Sequence, residues 1–154
     1  VRPARAGDDA AVSALWAALL GEHAARDPAF ALRPGTGTGA GLLAVVEALS
    51  RDPAAALWVW DGAAGVAGFC AARRQEAPAA AAERRRVEIT EIAVAPAARR
   101  RGIGTALAQA ALDWAAACCA ERIEVRVSAH NAAGQAFWRA LGFADFVNVL
   151  DRRL

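Results

Sequence analysis

The sequence predicts an α/β chain built on a mixed, mostly antiparallel sheet, and three observations carry that. Two apolar runs, residues 56–60 and 66–72, flank a turn around Asp61-Gly62, the arrangement of an antiparallel hairpin. A β-branched run at 87–95, an amphipathic stretch at 102–119 and a second apolar run at 123–127 follow in the order strand, crossover helix, parallel strand. Helical apolar spacing also recurs near both ends of the chain.

The elements follow in order. Residues 1–4 fit a short first strand, after which Asp8 or Asp9 can cap a helix whose stripe is Val12, Leu15, Trp16 and Leu19. Residues 21–41 mix a polar segment with the Pro34-Gly35-Thr36-Gly37-Thr38-Gly39 stretch, which reads as a mobile loop. A helix at about 42–49 stops before Asp52-Pro53, because Pro disfavours helix at the preceding residue. The hairpin comes next, then a loop or helical stub at 78–82. Val87, Ile89, Thr90, Ile92 and Val94 make the clearest strand, closed by Pro96. Ile103, Leu107, Ala111, Trp114 and Cys118 step by about four residues, the stripe of a helix packed on a sheet. A short helix at about 132–141 stops at Gly142, and residues 143–150 read as one or two final strands. There is no internal repeat and no linker, so residues 1–154 are expected to form one domain.

Composition narrows the function. The chain has no Lys, Tyr or Met, and all of its basic residues are Arg. A net charge of +2 is too small to suggest nucleic-acid binding. No apolar run reaches the ~18 residues of a membrane span, and the N-terminus lacks a signal-peptide pattern. Cys70, Cys118 and Cys119 form no Cys-x-x-Cys pair, so reduced, buried thiols in a soluble cytoplasmic protein are expected. No metal-ligand cluster is evident.

The most informative stretch is Arg99-Arg100-Arg101-Gly102-Ile103-Gly104, lying between a strand and a helix. Two glycines let the backbone approach a ligand closely, and the helix start offers unpaired N–H groups to phosphate oxygens. The adjacent glycines favour an anion-binding role for these three arginines, whereas Arg84, Arg85 and Arg86 read as rim charges. A nucleotide-binding phosphate loop is disfavoured, because no Gly-Lys-Ser/Thr ending is present.

Together with Asn131 and the later Phe137-Trp138-Arg139-Ala140-Leu141-Gly142-Phe143 segment, this turn resembles the signature of the GCN5-related N-acetyltransferase (GNAT) family. The resemblance implies a sheet whose two central parallel strands, here 87–95 and 123–128, splay apart to admit acetyl-CoA, with helices on both faces. It implies that backbone groups of Ile92, Ala93 and Val94 pair with pantetheine, and that Arg99, Arg100, Arg101, Gly102, Ile103, Gly104 and Thr105 hold the diphosphate. Asn131 is expected to cap the following helix and contact the cofactor. Trp138 occupies the place of the family's Tyr acid. An indole N–H donates a hydrogen bond but delivers no proton, so Trp138 either packs on pantetheine or belongs to the core. His130 or water can replace the acid.

An alkyl ammonium has a pKa of about 10.4, so a base or water relay must deprotonate the acceptor amine. Glu88 stands where the resemblance places a general base in the histone-acetylating branch, and ranks narrowly first. Glu91 faces the other way on a regular strand, and a bulge between the two exchanges the faces. Glu124 is a third candidate, with Arg126 as its neighbour. The resemblance places the acceptor side on 22–39 and 146–150, and Glu22, His23, Asp27 and Glu76 oppose Arg26 and Arg33 in the charge they offer an acceptor. The implied activity is acetyl transfer from acetyl-CoA, with CoA as product, to a small-molecule or peptide amine by direct attack in a ternary complex. Neither nucleic acid nor membrane is an expected partner, and a homodimer is compatible with the sequence. The alternative is an acyl-CoA-binding regulatory domain without turnover.

Overall fold

The computed structural model of the chain describes residues 1–31 and 39–152. Arg33 and the glycine- and threonine-rich residues 34–38 lie outside them. The elements are β1 (Arg2–Pro3), α1 (Asp9–Arg26), α2 (Ala40–Arg51), β2 (Ala55–Gly62), β3 (Gly65–Glu76), β4 (Arg85–Val94), α3 (Ile103–Ala117), β5 (Arg122–Val125) and α4 (Ala132–Ala140). Single 3-10 turns stand at Pro28–Phe30 and Pro96–Ala98. The described strands form one sheet in chain order, antiparallel throughout except for the parallel β4–β5 pair.

Both faces of the sheet are covered, which is why β3 reads as a continuous apolar run and not an alternating one. Leu57, Val59, Phe69 and Ala71 pack under Val12 of α1 and Val46 of α2. Trp58, Cys70, Ala72, Val87 and Ile89 point the other way, onto the Ile103, Leu107, Ala108, Ala111 and Ala115 stripe of α3 and onto Trp138 of α4. Period-2 strands and a near-four-residue helical stripe thus generate two cores on opposite sides of one sheet.

Several expectations are corrected. Asp8 stands at the N-cap of α1 without a side-chain cap bond. Its carboxylate instead accepts from Arg5 N–H and from the Arg2 guanidinium, both at 2.7 Å, fixing β1 to the helix start. The hairpin turn falls on Ala63-Ala64, two residues after Asp61-Gly62, since Gly62 pairs with Gly65 and strand pairing consumes the Asp-Gly. Of the two readings of residues 78–82 the loop holds, closed by Ala81 N–H to the Pro78 carbonyl. Of the cysteines only Cys70 is buried; α3 ends before Cys119, which turns away at φ 53° and is exposed. Residues 143–150 form no strand. Apolar residues make a strand only with a ladder partner, and here Phe146 stacks under the Arg122 guanidinium at 3.9 Å while Val147, Val149 and Leu150 stay exposed.

Candidate active site

The site begins where the sheet stops pairing. β4 and β5 are in register from Arg86↔Arg122 to Ile89↔Val125, and there β5 ends. β4 continues to Val94, still paired with β3 on its other side. Ala95 N–H bonds the Ala67 carbonyl across that pair, so by alternation the peptide groups of Val94 and Ile92 face the opening toward β5. A cavity of about 580 Å³ fills this opening, floored by the strand ends and roofed by the C-terminal half of α1.

A bulge decides which carboxylate reaches it. Ala71 pairs with Glu91 and Ala72 with Ile89, leaving Thr90 as the extra residue of β4. Glu88 and Glu91 therefore share the α1 face, as a bulge requires. Their surroundings differ. Glu88 does not line the cavity: it accepts from Gln75 Nε2 at 3.1 Å and pairs with Arg126 Nε at 3.1 Å. Glu91 lines the cavity beneath α1, where burial pushes its carboxyl up to about 7 against a hydrogen bond from the Trp16 side chain. Glu124 is held by Arg86 at 3.4 Å and Arg122 at 3.8 Å, in place of the expected Arg126.

The Arg/Gly turn forms the next wall. Arg100 takes φ 63° and Gly102 φ 77°, left-handed geometry that costs an L residue about 1–2 kcal/mol and glycine nothing. The first ladder bond of α3 runs from Ala106 N–H to the Gly102 carbonyl, so the amides of Ile103, Gly104 and Thr105 precede the ladder and carry the positive end of the helix dipole. A Cβ on Gly104 would meet Phe137 and Val94 only at ordinary contact distances, 3.5 and 3.9 Å, so no neighbouring protein atom compels glycine there. Arg99 does not extend into the cavity unpartnered. Its Nε donates to the Val94 carbonyl at 3.0 Å and its Nη2 binds Glu22 of α1.

Asn131 caps α4 as expected, its Oδ1 accepting from Gly134 N–H at 3.1 Å. Trp138 is 5% exposed, edge-on to Phe137 and Phe143 with centroids 4.9 and 5.0 Å away, so its body belongs to the core. His130 does not line the cavity; its Nδ1 meets Asp27 Oδ2 at 3.0 Å, joining the β5–α4 loop to the end of α1.

The cavity thus brings together Glu91, Ile92, Ala93, Val94, Arg99, Arg100, Gly102, Ile103, Gly104, Thr105, Asn131 and Trp138, and leaves Glu88 and Arg101 outside. Sequence reasoning missed Trp16, Ser128 and Phe137 as cavity or carboxylate neighbours, and gave Arg126 to Glu124 where the structure gives it to Glu88. Trp16 and Phe137 are apolar-stripe residues, and nothing in their spacing separates a cavity wall from a core.

The donor set suits coenzyme A. Open amides at a helix N-terminus and the Arg99 and Arg100 guanidiniums suit a diphosphate, and the unpaired β4 edge offers amide groups to an extended chain. Solved structures share the architecture. The BH1408 protein from Bacillus halodurans, as its tetramutant, superposes with a TM-score of 0.87 at 19% identity, covering 99% of this chain and 98% of that one. Aminoglycoside N-acetyltransferase AAC(6')-Iy with a CoA-S-monomethyl-acetylneamine bisubstrate analogue gives 0.74 at 21%, covering 99% and 95%. Aminoglycoside 6'-N-acetyltransferase AAC(6')-IG from Acinetobacter haemolyticus gives 0.72 at 19%, covering 99% and 96%. No curated protein matches the chain in sequence. The profile of the acetyltransferase (GNAT) family matches residues 22–143, most of the chain, and the protein belongs to that family.

Proposed function

We propose that the chain is an acetyl-CoA-dependent N-acetyltransferase that acetylates a primary amine by direct attack in a ternary complex. The observation that carries this is the meeting, in one cavity, of the unpaired β4 edge, the open α3 N-terminus and Glu91. Acetyl-CoA supplies the acetyl group as an activated thioester. The amides of Ile103, Gly104 and Thr105 with Arg99 and Arg100 would hold its diphosphate, and Ile92 and Val94 its pantetheine arm. Glu91 is the base: a carboxyl near pKa 7 is half ionised at neutral pH and basic enough to take an amine proton, directly or through one water. Its position favours it over Glu88, which does not line the cavity and whose oxygens are engaged by Gln75 and Arg126. No general acid is needed at the sulfur, because a thiol of pKa about 8.5 departs tolerably as thiolate and water can protonate it. The likeness to aminoglycoside acetyltransferases supports a small-molecule amine as acceptor.

Calorimetry with acetyl-CoA tests the cofactor. Binding that disappears in a Gly102→Glu/Gly104→Glu double variant is expected, and absence of binding at millimolar acetyl-CoA defeats the proposal. The second reading, a CoA-binding domain without turnover, is favoured by one observation, the buried Trp138 where the resemblance places a Tyr. Thiol release against amines, peptides and aminoglycosides separates the two: CoA formed in excess of enzyme, and lost in Glu91→Gln, excludes it.

A further inference from the structure

α1 is anchored unevenly. Its buried residues, Val12 and Ser13, lie in the first half, where Trp16 also rests against Phe69 at 6.0 Å. The second half roofs the cavity through Leu19, Glu22, His23 and Arg26 with no fully buried side chain. Polar bridges hold it to both walls. On one wall Glu22 binds Arg99, which also donates to the Val94 carbonyl at the end of β4. On the other, Asp27 meets His130.

Arg99 therefore has two claimants. It is the first arginine of the turn expected to hold a diphosphate, yet here its guanidinium is committed to Glu22 and its Nε to a carbonyl facing the pantetheine gap. Arg100 and Arg101 make no ion pair among the described residues. The Glu22 carboxylate divides its own oxygens, Oε1 to Arg99 and Oε2 to Arg26 at 3.1 Å, and Arg99 is the main cause holding its carboxyl below the usual range.

We propose that Arg99 is a clasp shared in turn: in the free protein it ties the end of α1 to the end of β4, and on cofactor binding it passes to the diphosphate. Glu22 thus competes with the cofactor for one guanidinium. The exchange releases the Val94 carbonyl toward the gap and frees Glu22 Oε1 in the roof of the cavity, where a cationic acceptor amine can use it. Acceptor recognition at this point then follows cofactor binding. This rests on the cofactor reading above.

A double-mutant cycle read by calorimetry with CoA tests it. Glu22→Gln keeps the side-chain shape, removes the competitor, and is expected to tighten CoA about threefold to fivefold, the worth of a partly exposed charge-assisted pair. Arg99→Gln weakens CoA, and adding Glu22→Gln to it changes nothing further. Equal tightening in both backgrounds means a general field effect and overturns the clasp, as does no tightening in either while the wild type binds. If the wild type binds no CoA, the cofactor reading falls first. Hydrogen exchange without ligand is the second measurement: amides 20–26 are expected to exchange about threefold to fivefold faster in Glu22→Gln. Unchanged exchange there shows that no clasp exists.

Discussion

Replacing Glu91 by Gln tests the cavity's electrostatics without any ligand. Burial raises the carboxyl from its ordinary 4.5 to about 7, with the Trp16 hydrogen bond opposing. At about 1.4 kcal/mol per pKa unit, the charged form costs the fold about 3 kcal/mol at pH 8. The folded state keeps a proton that the unfolded chain releases between these values. The contribution of Glu91 to stability is therefore greatest below about pH 4.5, falls as the pH rises through about 7, and levels off above. Gln does not titrate and keeps an acceptor for the indole. Its advantage over wild type is expected to be larger at pH 8 than at pH 5 by about 1.5–2.5 kcal/mol, after discounting for water in the cavity mouth. For a chain of this length that is a difference of about 3–10 °C in Tm. Urea unfolding of both proteins at the two pH values measures it, and an equal difference at pH 5 and pH 8 refutes the buried, proton-holding carboxyl.

Trp16→Phe keeps the ring against Phe69 and removes the indole donor, so the Glu91 pKa is expected to rise above its wild-type value in a carbon-detected NMR titration. Trp138→Ala empties a site packed by Phe137 and Phe143 and is expected to cost about 3–5 kcal/mol in denaturant unfolding. Cys119 is expected to react with a disulfide reagent in the native protein, whereas Cys70, buried and with its thiol pushed up to about 12, reacts only on unfolding; a time course with mass mapping separates them.

Most of the fold was legible because local pattern and tertiary burial agree. The β-branched 87–95 run became β4, the near-four-residue stripe became the buried side of α3, and Asn131 capped α4 as its side chain allows. The Arg/Gly turn was legible for the same reason, since glycine tolerance of φ 77° is a property of one residue. The base was not. Whether Glu88 or Glu91 faces a cavity depends on one extra residue in the β3–β4 register, and Thr90 looks like any other strand residue until β3 is laid beside it. The Glu22–Arg99 pair was equally hidden, because its partners stand 77 residues apart and each reads alone as a ligand contact, Glu22 for the acceptor and Arg99 for the diphosphate. Residues 143–150 failed in the opposite sense: strand propensity was present, and no neighbouring strand was.

An unpaired strand edge beside a cavity is normally a liability, since bare peptide groups recruit other strands. Here β4 runs past the end of β5 and leaves Ile92 and Val94 without a strand partner on that side among the described residues, the Val94 carbonyl accepting from Arg99, so something must guard the edge without sealing it. The guard is α1, and the means of attachment matters. Burying a leucine under the helix would hold the roof by about 1.5–3 kcal/mol and resist opening. Partly exposed ion pairs such as Glu22–Arg99 are worth about 0.2–1 kcal/mol, and their groups are readily taken over by water or by another anion. On the clasp proposed above, polar attachment on both walls would give a roof that shields the edge in the free protein and yields to a ligand carrying negative charge. The buried anchor of α1, Val12 with Trp16 against Phe69, is kept to the other half of the helix, away from these pairs.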